Sequence, residues 1–338
     1  MSTALAPDDA RATQRLEWTR NATAEPGVTL SRASVDAGFR SYWRASAPGS
    51  PSRIVMDSPP GLEDVRPWLR VHALLDAGGV RVPRVLASDG DAGLLLLEDL
   101  GTETYLHVLD DRNADRLFDE AVTQLLRLQA IPCPDWLPPY DDALLARELR
   151  LFDDWFLQRH LGLLLQDGDR DVLEDAFAQL IAAALEQPRI LVHRDYMPRN
   201  LMPSAGGPAV LDFQDAVQGP IAYDVLSLFK DAFASWPEAR FGQWVARYHA
   251  RASAAGLPVG DEAGFRRDVD WIGVQRHLKV LGIFARLSHR DGKPKYLADA
   301  PRFLAYLDTV LSRQPELAPL RSLLERRVAP ALPGVAAR

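Results

Sequence analysis

The sequence predicts an α+β protein with two lobes, a small β-rich N-terminal lobe over residues 1–100 and a larger helical C-terminal lobe over residues 101–338. Before Gly101, apolar segments are short and separated by Gly, Pro, Ser and Asp, which is typical of strands and turns. After Gly101, apolar residues recur at three- and four-residue spacing over long stretches, which is typical of amphipathic helices. A chain of 338 residues is also long enough for two domains.

The N-terminal half is predicted to be a small sheet interrupted by one helix. Residues 11–20 are expected to form an opening helix. Short apolar runs predict strands at residues 42–44, 54–56 and 94–97, with the interrupting helix at residues 62–76.

The C-terminal half is predicted to be built mainly from amphipathic helices. Their apolar stripes occur within residues 117–128, 145–156, 177–185 and 270–286. Stripes of this kind are expected to form core rather than a cofactor site. A further helix is expected to open at residues 219–224, and residues 330–338 are expected to form a loose tail.

Polar side chains follow two predicted strands in the middle of the chain. The β-branched runs at residues 189–192 and 209–211 predict two strands of one hairpin, with a turn at residues 206–208. Asp195 and Asn200 follow the first strand, and Asp212 follows the second. The hairpin would therefore hold two carboxylates and one amide close together.

These residue types suit phosphoryl transfer from a nucleotide. Asp195 is the candidate catalytic base, because an attacking hydroxyl needs a proton acceptor that also orients it. Asn200 and Asp212 are the candidate ligands of Mg²⁺, which prefers hard oxygen donors. His193 and Phe213 are expected to support them. The alternative is a polar hairpin whose side chains only bond turn amides. Two observations argue against it: the chain has only seven histidines, and the motif that begins at Asp212 follows Asn200 at the expected distance.

The spacing His193-x-Asp195-x4-Asn200 resembles the catalytic loop of aminoglycoside phosphotransferases and related small-molecule kinases, distant relatives of protein kinases. Residues 54–61, 191–202, 211–224 and 275–287 resemble one branch of that family, kinases of the anomeric hydroxyl of N-acetylmuramate and N-acetylglucosamine in cell-wall recycling. The resemblance spans residues 30–307. It implies a bilobal protein-kinase-like fold of the aminoglycoside phosphotransferase type, ATP and Mg²⁺ as cofactors, and an amino-sugar substrate.

The resemblance also implies a nucleotide site in the N-terminal lobe. Residues 98–101 resemble the hinge whose backbone holds adenine, which makes Glu98 and Leu100 candidates; a plain connecting loop is the alternative. Gly38 is the one glycine in the segment expected to cover the phosphates.

Protein kinases pair the phosphates with a strand lysine that a helix glutamate orients, but no lysine occurs in residues 1–229. Arg40 and Arg44 are the candidate replacements, and Glu63 or Asp64 could orient such an arginine. The alternative for each arginine is a solvent-facing strand position.

Candidate substrate and support residues lie beyond the catalytic motif. Asp224 is expected to support the catalytic loop through its backbone, although an ordinary acid at a helix start is the alternative. Gln214 and Asp215 could reach a second magnesium ion or the sugar. Cations on the 270–286 helix are candidates for binding a lactyl carboxylate, with a solvated basic face as the alternative; they are Arg276, Lys279 and Arg286.

Composition excludes several other classes of protein. A formal net charge of -7, from 39 basic and 46 acidic groups, argues against a general nucleic-acid or anionic-membrane surface. The single cysteine, Cys133, excludes an internal disulfide. No run of eighteen apolar residues and no signal peptide are found. We therefore expect a cytoplasmic protein, without nucleic-acid or membrane partners, acting as a monomer.

Two other functions fit the same catalytic motif. An aminoglycoside or other small-molecule hydroxyl kinase would use the same hairpin, but an aminoglycoside needs an acidic pocket, which the cationic helix at residues 270–286 argues against. A catalytically silent kinase-like binding module is the non-enzymatic alternative. Asp195, Asn200 and Asp212 together argue against it, whereas the missing lysine keeps it open.

Overall fold

The computed structural model describes residues 7–34 and 39–332. The chain divides into two compact units, one formed by residues 1–108 and 199–214 and the other by residues 109–198 and 215–338. The predicted boundary between residues 100 and 101 did not anticipate that residues 199–214 belong to the first unit.

The first unit contains a five-stranded antiparallel sheet with strand order β1-β2-β3-β5-β4. Its strands are β1 (Thr29–Ser34), β2 (Ser41–Ser46), β3 (Arg53–Asp57), β4 (Val85–Asp89) and β5 (Leu94–Glu98). Its helices are α1 (Pro7–Thr23), α2 (Arg66–Ala77) and α3 (Tyr105–Val108). The predicted opening helix, interrupting helix and three strands are confirmed, while β1 and β4 were not predicted.

One face of the sheet carries an apolar core. In β5, Leu94 and Leu96 are buried together with Val55 of β3. Leu16 and Trp18 of α1 pack against this cluster. Alternate residues of a strand point to the same face, so the four-leucine run of β5 serves both faces and gives a central strand.

Charged residues also hold α1 on the sheet. The Asp57 carboxylate at the end of β3 is 2 % exposed and accepts hydrogen bonds from Arg11 and Arg15, each at 2.6 Å. The Arg15 guanidinium lies 3.7 Å from the centre of the Trp43 ring. A buried carboxylate with two guanidinium partners fixes the position of α1.

The predicted hairpin between residues 189–192 and 209–211 is wrong in its pairing. In the second unit β6 (Arg189–Val192) pairs with β9 (Val217–Pro220), and in the first unit β7 (Leu201–Met202) pairs with β8 (Ala209–Val210). The predicted turn does lie between β7 and β8. Gly206 and Gly207 have φ of 83° and 118° there, which glycine adopts without strain. The tight turn therefore pairs β8 with β7, the strand nearest to it in the chain, and not with β6.

The second unit is mainly helical, as predicted. Its helices are α4 (Ala114–Gln129), α5 (Asp142–Leu151), α6 (Asp167–Glu186), α7 (Ala222–Phe229), α8 (Glu238–Ala254), α9 (Glu262–His289), α10 (Ala300–Leu311) and α11 (Ala318–Leu323). A π-helix, Phe152–His160, continues α5. The apolar stripes predicted in residues 117–128, 145–156 and 177–185 lie in α4, in α5 with the π-helix, and in α6.

Helix α9 is the central helix of the second unit and contacts α5, α6, α7, α10 and the π-helix. A Cβ added at Gly282 would lie 2.2 Å from the Leu151 carbonyl carbon, so glycine permits this close helix contact. The alternative of a solvated basic face on α9 is wrong for two of its three candidate cations. Arg276 and Lys279 are only 4 % and 7 % exposed, because α9 is enclosed by other helices.

Candidate functional site

The catalytic-loop segment of the second unit begins where β6 ends. His193 is fully buried, and its backbone N–H donates to Asp224 Oδ2 at 2.7 Å. The next N–H, that of Arg194, donates to Asp224 Oδ1 at 3.0 Å. The Asp195 N–H donates to His193 Nδ1 at 3.2 Å. Asp224, on the first turn of α7, thus bonds the backbone of the loop that carries the candidate base.

Arg276 of α9 contacts the same loop. One of its nitrogens, Nη1, donates to the Arg194 carbonyl and to the Tyr223 hydroxyl, each at 2.8 Å. Its other terminal nitrogen, Nη2, lies 3.4 Å from Asp195 Oδ1. Arg194 has a φ of 75°, a left-handed conformation that costs a non-glycine residue about 1–2 kcal/mol. The surrounding hydrogen bonds hold this conformation.

Glu148 of α5 is the centre of a buried ion-pair network next to this loop. Its Oε1 accepts from Arg194 Nη2 at 2.5 Å and from Lys279 Nζ at 2.8 Å. Its Oε2 accepts from the Tyr140 hydroxyl and from Gln275 Nε2. Burial alone would raise the Glu148 pKa, but Lys279 and Arg194 hold the pKa at about 2.

Asp195 on the loop and Asp224 on α7 have different electrostatic environments. Burial would raise the pKa of Asp195, but the charges of Arg276 and Lys279 hold it below its ordinary value. The Asp195 side chain is 42 % exposed, so the effect of the cations on its pKa outweighs that of burial. Asp224 is fully buried, and burial raises its pKa to about 6. Asp195 is therefore the exposed, ionised carboxylate of the loop.

The candidate metal ligands lie on the β7–β8 hairpin of the first unit. The Asn200 carbonyl accepts from the Leu211 N–H at 2.9 Å, which extends the hairpin ladder and brings the two chain ends together. Asp212 has a φ of 64°, and its Oδ1 accepts from Gln214 Nε2 at 2.9 Å. Within residues 7–34 and 39–332, no group of three or more His, Cys, Asp or Glu side chains that could hold a metal is found.

Phe213 fixes this hairpin to α2 within the first unit. Its side chain is 1 % exposed, and its ring centre lies 4.9 Å from that of Trp68 and 6.0 Å from that of His72. His72 Nε2 donates to the Pro83 carbonyl at 2.7 Å. The side chain after Asp212 is therefore an anchor that sets the position of the Asp212 backbone.

The two candidate arginines of the first unit have different partners. Arg44 Nε and Nη2 bind the two carboxylate oxygens of Asp99 at 2.6 and 3.1 Å, and Nη2 also donates to the Gly101 carbonyl. Arg40 Nε lies 3.3 Å from Glu63 Oε1, and its side chain is 11 % exposed. The Arg44 guanidinium is thus engaged by the segment after β5, whereas Arg40 is paired with the acid that precedes α2.

The predicted hinge residue Glu98 uses its side chain inside the first unit. Its carboxylate accepts from both terminal nitrogens of Arg81, and its backbone N–H donates to the Arg84 carbonyl at 2.9 Å. The Glu98 carboxylate is therefore occupied within the first unit, and the backbone of Glu98 and Leu100 stays the candidate for adenine binding. Gly38 lies outside the described residues.

The cations predicted to bind substrate do not form one group. Arg276 and Lys279 are bonded to the catalytic loop, Tyr223 and Glu148. Arg286 lies ten residues beyond Arg276 on α9 and is half-buried. The remaining candidates are placed in different units, Gln214 in the first and Asp215 in the second.

Sequence reasoning missed the partners of these cations. Glu148 lies between Leu145 and Leu149 in an amphipathic pattern, and nothing in that pattern separates it from an exposed helical acid. One signal was available in the sequence. The apolar stretch of residues 270–286 contains three Lys and Arg side chains, and cations in such a stretch need buried counter-charges from other elements.

Comparison with known proteins gives one family and several close relatives. Residues 29–263 match the model of the phosphotransferase enzyme family. The chain is 52 % identical over 300 residues to the N-acetylmuramate/N-acetylglucosamine kinase of Pseudomonas putida, covering 88 % of each chain. It is 50 % identical to the protein of the same name from Pseudomonas aeruginosa, covering 94 % of this chain and 97 % of that one.

A solved structure supports the fold. The aminoglycoside phosphotransferase APH(2'')-Ib with ADP bound matches 86 % of this chain and 96 % of its own, with a TM-score of 0.56 and 16 % identity. At that identity the match shows the fold, which is the predicted α+β kinase-like fold. No helix among the described residues is long and apolar enough to cross a membrane.

Proposed function

Because the chain belongs to the phosphotransferase enzyme family, we propose that it uses ATP to phosphorylate the anomeric hydroxyl of N-acetylmuramate and N-acetylglucosamine. The products would be sugar 1-phosphates that feed peptidoglycan recycling. Identity of 50–52 % across nearly the full length of two relatives of that name supports the substrate class. We further propose that the enzyme acts as a monomer in the cytoplasm, where ATP is available.

The observation that carries the proposal is the environment of Asp195. A hydroxyl attacking the γ-phosphate must be oriented and must lose its proton. The Asp195 side chain is 42 % exposed, so a ligand can reach it, and the neighbouring cations Arg276 and Lys279 keep it ionised. A weakly basic carboxylate is sufficient as catalytic base, because the transition state of phosphoryl transfer is loose.

We assign the Mg²⁺ ligands to Asn200 and Asp212. Both supply hard oxygen donors from one hairpin, and Mg²⁺ usually binds one or two carboxylates plus substrate phosphates while it keeps several waters. When bound, the ion neutralises charge on the phosphates. The amide of Gln214 orients the Asp212 carboxylate through its 2.9 Å hydrogen bond.

Arg40 is the proposed replacement for the strand lysine of protein kinases. Its pairing with Glu63, three residues before α2 begins, has the chemistry of the lysine–glutamate pair that orients a phosphate-binding cation. Arg44 is the weaker candidate, since Asp99 binds its guanidinium through two oxygens. We assign adenine to the Glu98 carbonyl and the Leu100 N–H.

The sugar assignment can be tested with acceptors that differ at one position. N-acetylmuramate, N-acetylglucosamine, their methyl glycosides and kanamycin would each be incubated with ATP and Mg²⁺, and products identified by mass spectrometry and phosphorus NMR. We expect phosphorylation of both free sugars and none of the methyl glycosides, because the glycoside blocks the anomeric hydroxyl. Phosphorylation of kanamycin alone would overturn the proposal in favour of an aminoglycoside kinase.

The Asp195→Asn variant tests the role of the base. The amide is nearly isosteric but cannot accept the proton, so turnover should fall by about 10² to 10⁴ while nucleotide affinity is kept. Turnover near the wild-type value at saturating sugar would show that Asp195 is not the base. Absence of turnover in the wild-type protein with every acceptor, together with normal nucleotide binding, would favour a catalytically silent binding module.

A further inference from the structure

The peptide group between Arg194 and Asp195 is held from both of its ends. On one side, the Asp195 N–H donates to His193 Nδ1 at 3.2 Å, while Asp224 accepts the N–H groups of the two preceding peptides, those of His193 and Arg194, at 2.7 and 3.0 Å. On the other, Arg276 donates to the Arg194 carbonyl at 2.8 Å. Arg194 has a left-handed backbone conformation, and a non-glycine residue keeps that conformation only where several contacts hold it. These contacts therefore set the direction in which the Asp195 side chain leaves the backbone.

Arg276 also reaches the Asp195 carboxylate itself. Its Nη2 lies 3.4 Å from Asp195 Oδ1, and its Nη1 donates to the Tyr223 hydroxyl at 2.8 Å. Because the Arg276 side chain is only 5 % exposed, removing it from water has a large cost that only paired contacts offset. Every hydrogen bond found for its side chain among the described residues goes to the catalytic loop or to Tyr223.

We propose that Arg276 is a positioning residue that fixes the Arg194–Asp195 peptide and the Asp195 carboxylate in one geometry for proton acceptance. This inference rests on the proposed function, because it takes Asp195 as the base. It replaces the expectation that Arg276 binds a substrate carboxylate. The planar guanidinium suits the task, since its fork can bond the carbonyl and the carboxylate at once, whereas an ammonium group is a single point charge.

The test compares Arg276→Gln and Arg276→Lys with the wild-type enzyme on whichever acceptor the wild type phosphorylates. For Arg276→Gln we expect kcat to fall about 100-fold, the cost of misplacing a catalytic group by roughly 1 Å. The KM for each substrate should change less than about threefold, because a residue that acts through the base does not itself strengthen substrate binding in the ground state. Arg276→Lys should recover part of kcat.

The pH profile separates charge from geometry. Arg276→Gln removes a cation that lowers the pKa of Asp195 and of Asp224, so the acidic limb of kcat/KM should move to higher pH by about one unit. Arg276→Lys keeps the charge, so its acidic limb should stay near that of the wild type. The ionisable groups that face Asp195 from the loop, α5, α7 and α9 are His193, Arg194, Glu148, Tyr223, Asp224, Arg276 and Lys279.

A double-mutant cycle excludes a purely structural role. In the Asp195→Asn background, Arg276→Gln should lower turnover by less than about threefold more, because residues that act as one unit are not additive. The matched control is Arg267→Gln on the same helix, whose guanidinium contacts Glu316 at 3.4 Å and the Trp271 ring. This control should keep wild-type kcat.

The outcomes are distinct. A folded Arg276→Gln variant with kcat within threefold of the wild type, or with an equal loss in the Asp195→Asn background, would overturn the inference. If Arg276→Gln does not fold, Arg276→Lys decides: wild-type kcat would overturn the inference, and a lowered kcat with unchanged melting temperature would support it. If the wild type prefers an acceptor other than the two sugars, the proposed function fails while this test remains valid.

Discussion

Replacing Glu148 with Gln should destabilise the second unit more than any exposed ion pair could. The Glu148 side chain is 6 % exposed and accepts from Arg194, Lys279, Tyr140 and Gln275. The neutral amide keeps the shape of the side chain but removes its charge. Two cations, half-buried Arg194 and buried Lys279, are then left without their shared carboxylate.

The magnitude follows from the pKa. Glu148 titrates at about 2 in the folded protein, against an ordinary value of 4.5. A difference of about 2.5 units corresponds to about 3 kcal/mol of stability at neutral pH. Breaking a buried ion pair by removing one partner typically costs about 3–5 kcal/mol. We therefore expect Glu148→Gln to lose about 3 kcal/mol.

The pH dependence has a defined sign. The folded-state pKa of Glu148 is depressed, so its contribution is fully present above pH 4.5 and is lost as the pH falls through about 2. The stability difference between wild type and Glu148→Gln should therefore be constant above pH 4.5 and shrink below it. Pulsed hydrogen exchange across a urea series, followed on peptides of α5 and α9, measures the unfolding of the second unit directly.

Glu174→Gln on α6 is the matched control. Glu174 pairs with Arg150, but both side chains are exposed, at 52 % and 41 %, so the loss should stay below about 1 kcal/mol. A Glu148→Gln loss as small as that of the control would refute the role given to burial. A loss that does not shrink below pH 4.5 would refute its electrostatic origin.

Two further predictions concern the first unit. Gly93→Ala should destabilise it by at least about 2 kcal/mol in urea unfolding, because Gly93 has a φ of 66° and an added Cβ would lie 1.9 Å from the Ser58 carbonyl oxygen. Gly79→Ala, with a φ of 74° but no atom within 4 Å of the added Cβ, should lose only about 1 kcal/mol. Asp212→Ala should weaken binding of a non-hydrolysable magnesium nucleotide about tenfold or more by calorimetry, since it removes a hard-oxygen ligand. Unchanged affinity would instead leave Asp212 with a structural role in the hairpin.

The elements that the sequence predicted are those with strong local periodicity. The run Leu94–Leu97 could only form a buried strand, and the stripe within residues 117–128 gave α4 within a few residues. Strand pairing is a different matter, because it depends on contacts across the chain. Strands β6 and β8, of four and two residues, are too short to specify their own register. Strand β9 contains Gly219 and Pro220, which are uncommon within strands, so the sequence does not indicate a strand there.

In the candidate site, too, local features could be predicted from the sequence and contacts between distant residues could not. The spacing of His193, Asp195 and Asn200 is local, so the sequence alone was enough to propose this loop as the catalytic one. The surroundings of Arg276 and Lys279 are not local: the acid that pairs with Lys279 lies on α5, well over a hundred residues earlier. A pattern of cations on a helix is compatible with a solvated face, a ligand site or a buried network, and only tertiary packing decides among them.

Packing also supports Asp195 as the proposed base independently of the motif. Three carboxylates surround the catalytic loop, and their environments drive their pKa values apart: about 2 for Glu148, about 6 for Asp224, and below the ordinary value for Asp195. Groups whose pKa values are separated in this way have separate tasks. Glu148 and Asp224 are 6 % and 0 % exposed, so no acceptor hydroxyl can touch them, and their oxygens already accept from cations or backbone N–H groups. Asp195 is 42 % exposed and ionised, and it is therefore the carboxylate that we propose takes the proton from the sugar.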